Sequence, residues 1–159
     1  MFSDPLVARM AAFVEGIGIA VRAAELAQAT FLPGLDIRFG TLLVDEARLA
    51  YPGDMLHEAG HIAVASPEER RRERLKPTLG DEITTIAWSY AAALHLRIDP
   101  ALVFHPAGYR GASSAFLTNF AAGRFVGTPL LQTYDMTVEP KRNLPEGVKP
   151  FPHMLRWVR

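Results

Sequence analysis

The chain contains no cysteine. That absence excludes disulfides, thiolate zinc fingers, iron–sulfur clusters and cysteine nucleophiles, so a metal would have to be held by His, Asp or Glu. Net charge is also lacking, because 17 Lys+Arg balance 17 Asp+Glu. No basic field is on offer to phosphates, and nucleic acid is not an expected partner. No run reaches the roughly 18 uninterrupted apolar residues of a membrane span. Met1-Phe2-Ser3-Asp4-Pro5 has none of the basic character that begins a secretory signal, and Arg9, Glu15 and Arg22 interrupt the apolar stretch behind it. A cytoplasmic chain without a membrane partner is the expectation. What is present is 49% hydrophobic and 21% charged residues over 159 positions, the size and composition of one domain that buries a core.

Leu6, Val7, Met10, Phe13 and Val14 recur at helical spacing behind Asp4 and Pro5, which predicts an opening helix over 4–15. From Gly16 short strands are expected: Gly16–Arg22, then Leu35–Phe39 and Thr41–Val44, with Arg48–Tyr51 as a further candidate, punctuated by Pro33-Gly34 and Gly40. Asp54 offers a side-chain cap for a helix from about Met55 to Ala65, stopped by Pro67. The mixed-charge run 67–77 reads as a solvated connection. Thr78 and Asp81 form a capping-box pattern before Ile83, Ile86, Ala87, Tyr90, Ala91 and Leu94, which predicts a buried helix. A helix over Ser113–Ala122 ends at Gly123, and prolines 140, 145, 150 and 152 predict an extended tail, 138–159, pinned by Phe151 and Trp157.

One segment carries chemistry: His57-Glu58-Ala59-Gly60-His61, matching H-E-x-x-H inside a predicted helix. Residues four apart lie on one helix face about 5 to 6 Å apart, so two imidazoles can approach one cation. Glu58 lies about 100° around the axis, poorly placed as a ligand but well placed to act as general base on a water near the metal. Leu56, Ala59, Ile62, Ala63 and Val64 mark the helix as buried, where three polar residues need a reason. Gly60 costs a helix about 1 kcal/mol relative to Ala and fits a position against which something packs closely. A third ligand is required at a catalytic zinc site. Glu82, at the start of the next helix, is favoured, with Asp81, His95, His105 or none of these as alternatives; Asp81 is already engaged in the capping box, and His95 reads as a helix-end histidine. His105 and Tyr109 form the only downstream cluster of donors outside a predicted helix, and Tyr109 is the candidate to stabilise an oxyanion, beside the plainer reading of turn chemistry around Pro106 and Gly108.

Residues 31 to 100 resemble the gluzincins, zinc metallopeptidases with H-E-x-x-H on one helix and a glutamate ligand on the next. Leu32-Pro33-Gly34, Leu43-Val44-Asp45, the motif itself and Glu82 ahead of Ala87–Leu94 are most similar to the small ImmA/IrrE-type family. The resemblance implies zinc held by His57, His61 and Glu82, with Glu58 as base for hydrolysis of a peptide or protein substrate. Val64 and Pro67 depart from the metzincin pattern, and Ile86 replaces the aspartate of thermolysin-type sites, leaving the support of the ligands unassigned. The expected fold is α+β and zincin-like: a small, mainly antiparallel sheet on the motif helix, with a second ligand-bearing helix, in one domain over 1–137 followed by the tail. Two alternatives accompany the peptidase reading. One is a metal-binding regulatory or interaction module with little turnover, favoured by the limited room for a second lobe. The other is a homo-oligomer joined through the apolar C-terminal third and the tail.

Overall fold

The computed structural model describes residues 2–27 and 29–159. Helix α1, Pro5–Gly16, begins as the sequence predicts: Asp4 Oδ1 accepts from Leu6 N and Val7 N, Pro5 fills the first position, and Val7, Met10, Ala11 and Val14 face the core. The helix runs through Gly16 and unwinds at Gly18, whose φ is 95°. Only Val21–Ala23 of the expected first strand therefore forms, as β1. Strands β2, Leu35–Arg38, and β3, Thr41–Val44, make a hairpin whose two-residue turn, Phe39-Gly40, has both φ positive, the backbone twist that suits a tight hairpin.

The sheet corrects the expectation of a mainly antiparallel arrangement. Its order is β1-β3-β2, with β2 antiparallel to β3 but β1 parallel to it. β3 carries Leu42 and Val44, both almost fully buried, so this strand takes the centre and β1 reaches its other edge through the connection that follows it. Residues 48–51 form no strand. The chain turns at Asp45–Arg48 instead, and the turn packs so tightly on Gly34 that a Cβ there would lie 2.6 Å from Leu49 N.

Helix α2, Asp54–Val64, lies between the sheet and helix α4, Leu79–His95. Every residue of α2 except Glu58 is buried. The charged connection contains one short helix, α3, Pro67–Arg70, closed by a Ser66–Glu69 capping box. Thr78 and Asp81 cap α4 reciprocally, as their spacing predicts. Helix α5, Ser113–Ala121, stops before Gly123, and a further helix without a clear periodic signal, α6, Thr128–Thr133, packs on α4. Phe120 and Leu131 of the apolar C-terminal third are buried in the chain's own core. The tail folds back: Thr137 bridges Met154, Phe151 is buried, and the Trp157 main-chain oxygen accepts from Trp88 Nε1 at 2.9 Å. No helix among the described residues is long and apolar enough to cross a membrane.

Candidate metal centre

The centre is built from two helices that the core presses together. Gly60 permits the approach: a Cβ there would stand 2.9 Å from Thr85 Cγ2 and 3.1 Å from Trp88 Cε3. With α2 seated this closely, His57 and His61 present their Nε2 atoms 3.1 Å apart. The capping box of α4 fixes the first turn that carries Glu82, whose carboxylate reaches both rings. His57 Nε2 lies 3.4 Å from Oε1 and His61 Nε2 lies 3.1 Å from Oε2. One ligand atom from each residue falls within 4.8 Å of the others, a group that could hold a metal ion. Among the open choices for a third ligand, the fold brings Glu82 to the histidines. Asp81 stays in its capping box, and His95 lies exposed at the end of α4 against Phe13 and Trp157.

The far side of each imidazole is also occupied. Tyr109 Oη lies 3.1 Å from His57 Nδ1, and Thr85 Oγ1 lies 3.3 Å from His61 Nδ1. A hydroxyl oxygen can accept the Nδ1–H of each ring, and in that tautomer the lone pair of each lies on Nε2. Two such lone pairs facing a carboxylate at these distances repel one another unless a cation lies among them. Tetrahedral zinc with bonds of about 2.0 to 2.1 Å has ligand–ligand edges of about 3.3 to 3.4 Å, close to the separations observed. In that tautomer the donor set fits a divalent cation.

Electrostatics follow from these contacts. In the other tautomer, open to the metal-free chain, Nε2 carries the proton, and hydrogen bonds from His57 and His61 then hold the Glu82 carboxyl well below the usual carboxylate range. Burial pushes Glu58 up, with the two histidines pulling the other way. Burial likewise raises the Tyr109 phenol. Glu58 lines a groove of about 480 Å³ together with Leu32, Leu35, Asp36 and Arg38, a groove whose lining does not include the three ligand residues.

One expectation from the sequence changes here. Asp54 is not the cap of α2. That place belongs to Gly53, where a Cβ would collide with Leu102 O, and Asp54 Oδ1 instead accepts from His105 Nε2 at 3.0 Å. Tyr109, the oxyanion candidate, reaches the centre with its hydroxyl on His57 Nδ1, on the opposite side of the ring from Nε2. Thr85 joins the centre without a motif to mark it; the only signal is its place three residues after Glu82 on the same helix face. No protein-family model, curated protein or solved structure matches this chain.

Proposed function

We propose that the chain is a zinc-dependent peptidase. The observation that carries this reading is the convergence of His57, His61 and Glu82, with Glu58, the residue after His57, lining a groove. A divalent cation held by the three ligands would polarise a scissile carbonyl and lower the pKa of water. Glu58 takes the proton as the water oxygen bonds to the carbonyl carbon, and delivers it to the amide nitrogen as the C–N bond breaks. Its burial-raised carboxyl brings the base closer to a neutral working pH, where proton transfer in both directions is efficient.

A second reading, a metal-holding module with little turnover, is favoured by one feature of the sheet edge. Along the open side of β2, the Ile37 N–H donates to Asp36 Oδ1 and the Phe39 N–H to Glu73 O. An extended peptide laid on that edge finds these main-chain donors already engaged.

Elemental analysis of the purified chain beside His61→Ala and Glu82→Ala tests the centre. About one zinc per chain, lost in both variants, is expected, and retention in Glu82→Ala would move the third ligand elsewhere. Incubation of the zinc-loaded chain with a quenched fluorescent peptide library separates the two readings. Turnover that disappears in Glu58→Gln while zinc is retained supports the peptidase. Stoichiometric zinc with no turnover supports the module.

A further inference from the structure

One buried acid–imidazole pair takes no part in the centre described above. Asp54 and His105 are 5% and 7% exposed, and His105 Nε2 donates to Asp54 Oδ1 across 51 residues of sequence. A buried pair of this kind carries a desolvation cost and is weak evidence for stability alone, so its placement calls for a reason. His105 is held at three further points. It stacks on Tyr51 with centroids 3.9 Å apart and an interplanar angle of 7°, and a Cβ on Gly108 would stand 3.2 Å from two of its atoms. Ser113 Oγ donates to its main-chain oxygen at 2.7 Å.

What this clasp holds is the turn that follows. Tyr109 and Arg110 both have φ of 52°, a left-handed conformation that costs a non-glycine residue about 1 to 3 kcal/mol and collects at functional sites. The strained turn is what brings the Tyr109 hydroxyl onto His57 Nδ1. The two contacts run in step. Asp54 and His57 are three residues apart on one face of α2, and His105 and Tyr109 are four apart on the loop lying over it.

We propose that Asp54, His105 and Tyr109 form one positioning device for His57. The Asp54–His105 clasp fixes the loop, and the loop holds the tyrosine oxygen on Nδ1, so that the ring presents Nε2 as a lone pair. The assignment rests on the metal-centre reading and gives Tyr109 the task of orienting a ligand.

Zinc affinity measured by competition with a chromogenic chelator tests it. Tyr109→Phe removes one oxygen and keeps the ring that packs between Phe104 and Phe116. It should weaken zinc binding about 10- to 100-fold and leave the thermal midpoint of the metal-free chain nearly unchanged. His105→Phe keeps a ring against Tyr51 but gives Asp54 no donor, and a loss of similar size is expected. In the Tyr109→Phe background the same change should add little, because His105 acts through the tyrosine hydroxyl. His105→Gln, which retains an N–H for Asp54, should bind zinc close to the wild-type value. Wild-type affinity in Tyr109→Phe overturns the proposal, and so does an equal loss from His105→Phe in both backgrounds. Should His105→Phe fail to fold, Tyr109→Phe alone still decides. A wild-type chain that takes up no zinc overturns the metal centre itself, a distinct result visible without any variant.

Discussion

At the scale of single residues, the base role proposed for Glu58 would set function against stability. It is the one residue of α2 that the core does not fully bury, yet burial dominates its environment and raises its carboxyl pKa. A carboxyl with a raised folded-state pKa favours folding when protonated. Its contribution is complete below the unfolded value, near 4.5, and is lost as pH rises through the folded value. In the metal-free chain, Glu58→Gln should therefore raise the thermal midpoint at pH 7, and the gain should fade toward pH 4, where the wild type also carries a proton. Differential scanning calorimetry at the two pH values reads both, and a variant no more stable than wild type at pH 7 contradicts the account. If the chain is the proposed peptidase, the same substitution abolishes turnover, an exchange of activity for stability familiar at catalytic sites. Gly60 works in the opposite direction. Alanine there should gain helix propensity of about 1 kcal/mol, but its methyl meets Thr85 and Trp88, both fully buried and unable to retreat. Overpacking costs about 1 to 3 kcal/mol, so Gly60→Ala should be net destabilising in urea denaturation. Zinc affinity should fall with it, because displacing Thr85 moves the hydroxyl on His61.

At the scale of elements, what decides the centre is how firmly the first turn of α4 is set. Thr78 Oγ1 accepts from Asp81 N, and Asp81 Oδ2 accepts from both Thr78 N and its hydroxyl, one residue before Glu82. Thr78→Ala should cost about 1 kcal/mol of stability and weaken zinc binding as that turn frays; unchanged affinity would show that packing on α2 alone positions Glu82. This element also shows what a sequence makes legible. The capping box, the motif helix and the Pro5 start of α1 are local patterns whose cause and effect lie within one or two turns, and each can be read from residue types and spacing alone. The pairing of β1 with β3 cannot, because the register Val21↔Leu42 joins residues with a hairpin strand between them in sequence, and no local signal records which edge of β3 is free. The same holds for His57 and its hydroxyl partner. Tyr109 stands out in the sequence as a donor, but its contact through Nδ1 depends on a left-handed turn at Tyr109 and Arg110, a conformation that neither residue type announces. Asp54 departs from its expected role for a related reason. Its type suits a cap, and the competing partner, His105, lies 51 residues away.

At the scale of the whole molecule, the tail and the candidate metal centre share one core. Trp157 packs edge-on to Phe13 and Trp88, with centroids 5.0 and 5.6 Å away, and its main-chain oxygen takes the Trp88 indole N–H. Trp88 in turn is the residue that meets Gly60 behind the motif. Residues 151–157 thus act as an outer layer of the packing that presses α4 onto α2. Trp157→Ala should cost about 3 kcal/mol, the lower end for loss of a large aromatic, since its ring is only partly buried. The three ligands come from two helices that only the folded chain brings together, so zinc should bind the native state selectively. At a free concentration of 100 times its Kd it should add about 2.7 kcal/mol. Because the loss and the gain are nearly equal, zinc-loaded Trp157→Ala should melt close to the metal-free wild type, and the zinc-induced rise in midpoint should be alike in the two proteins. A normal rise in wild type with none in Trp157→Ala would mean that the tail packing is needed to form the centre at all, so that the outer layer and the ligand geometry are one cooperative unit.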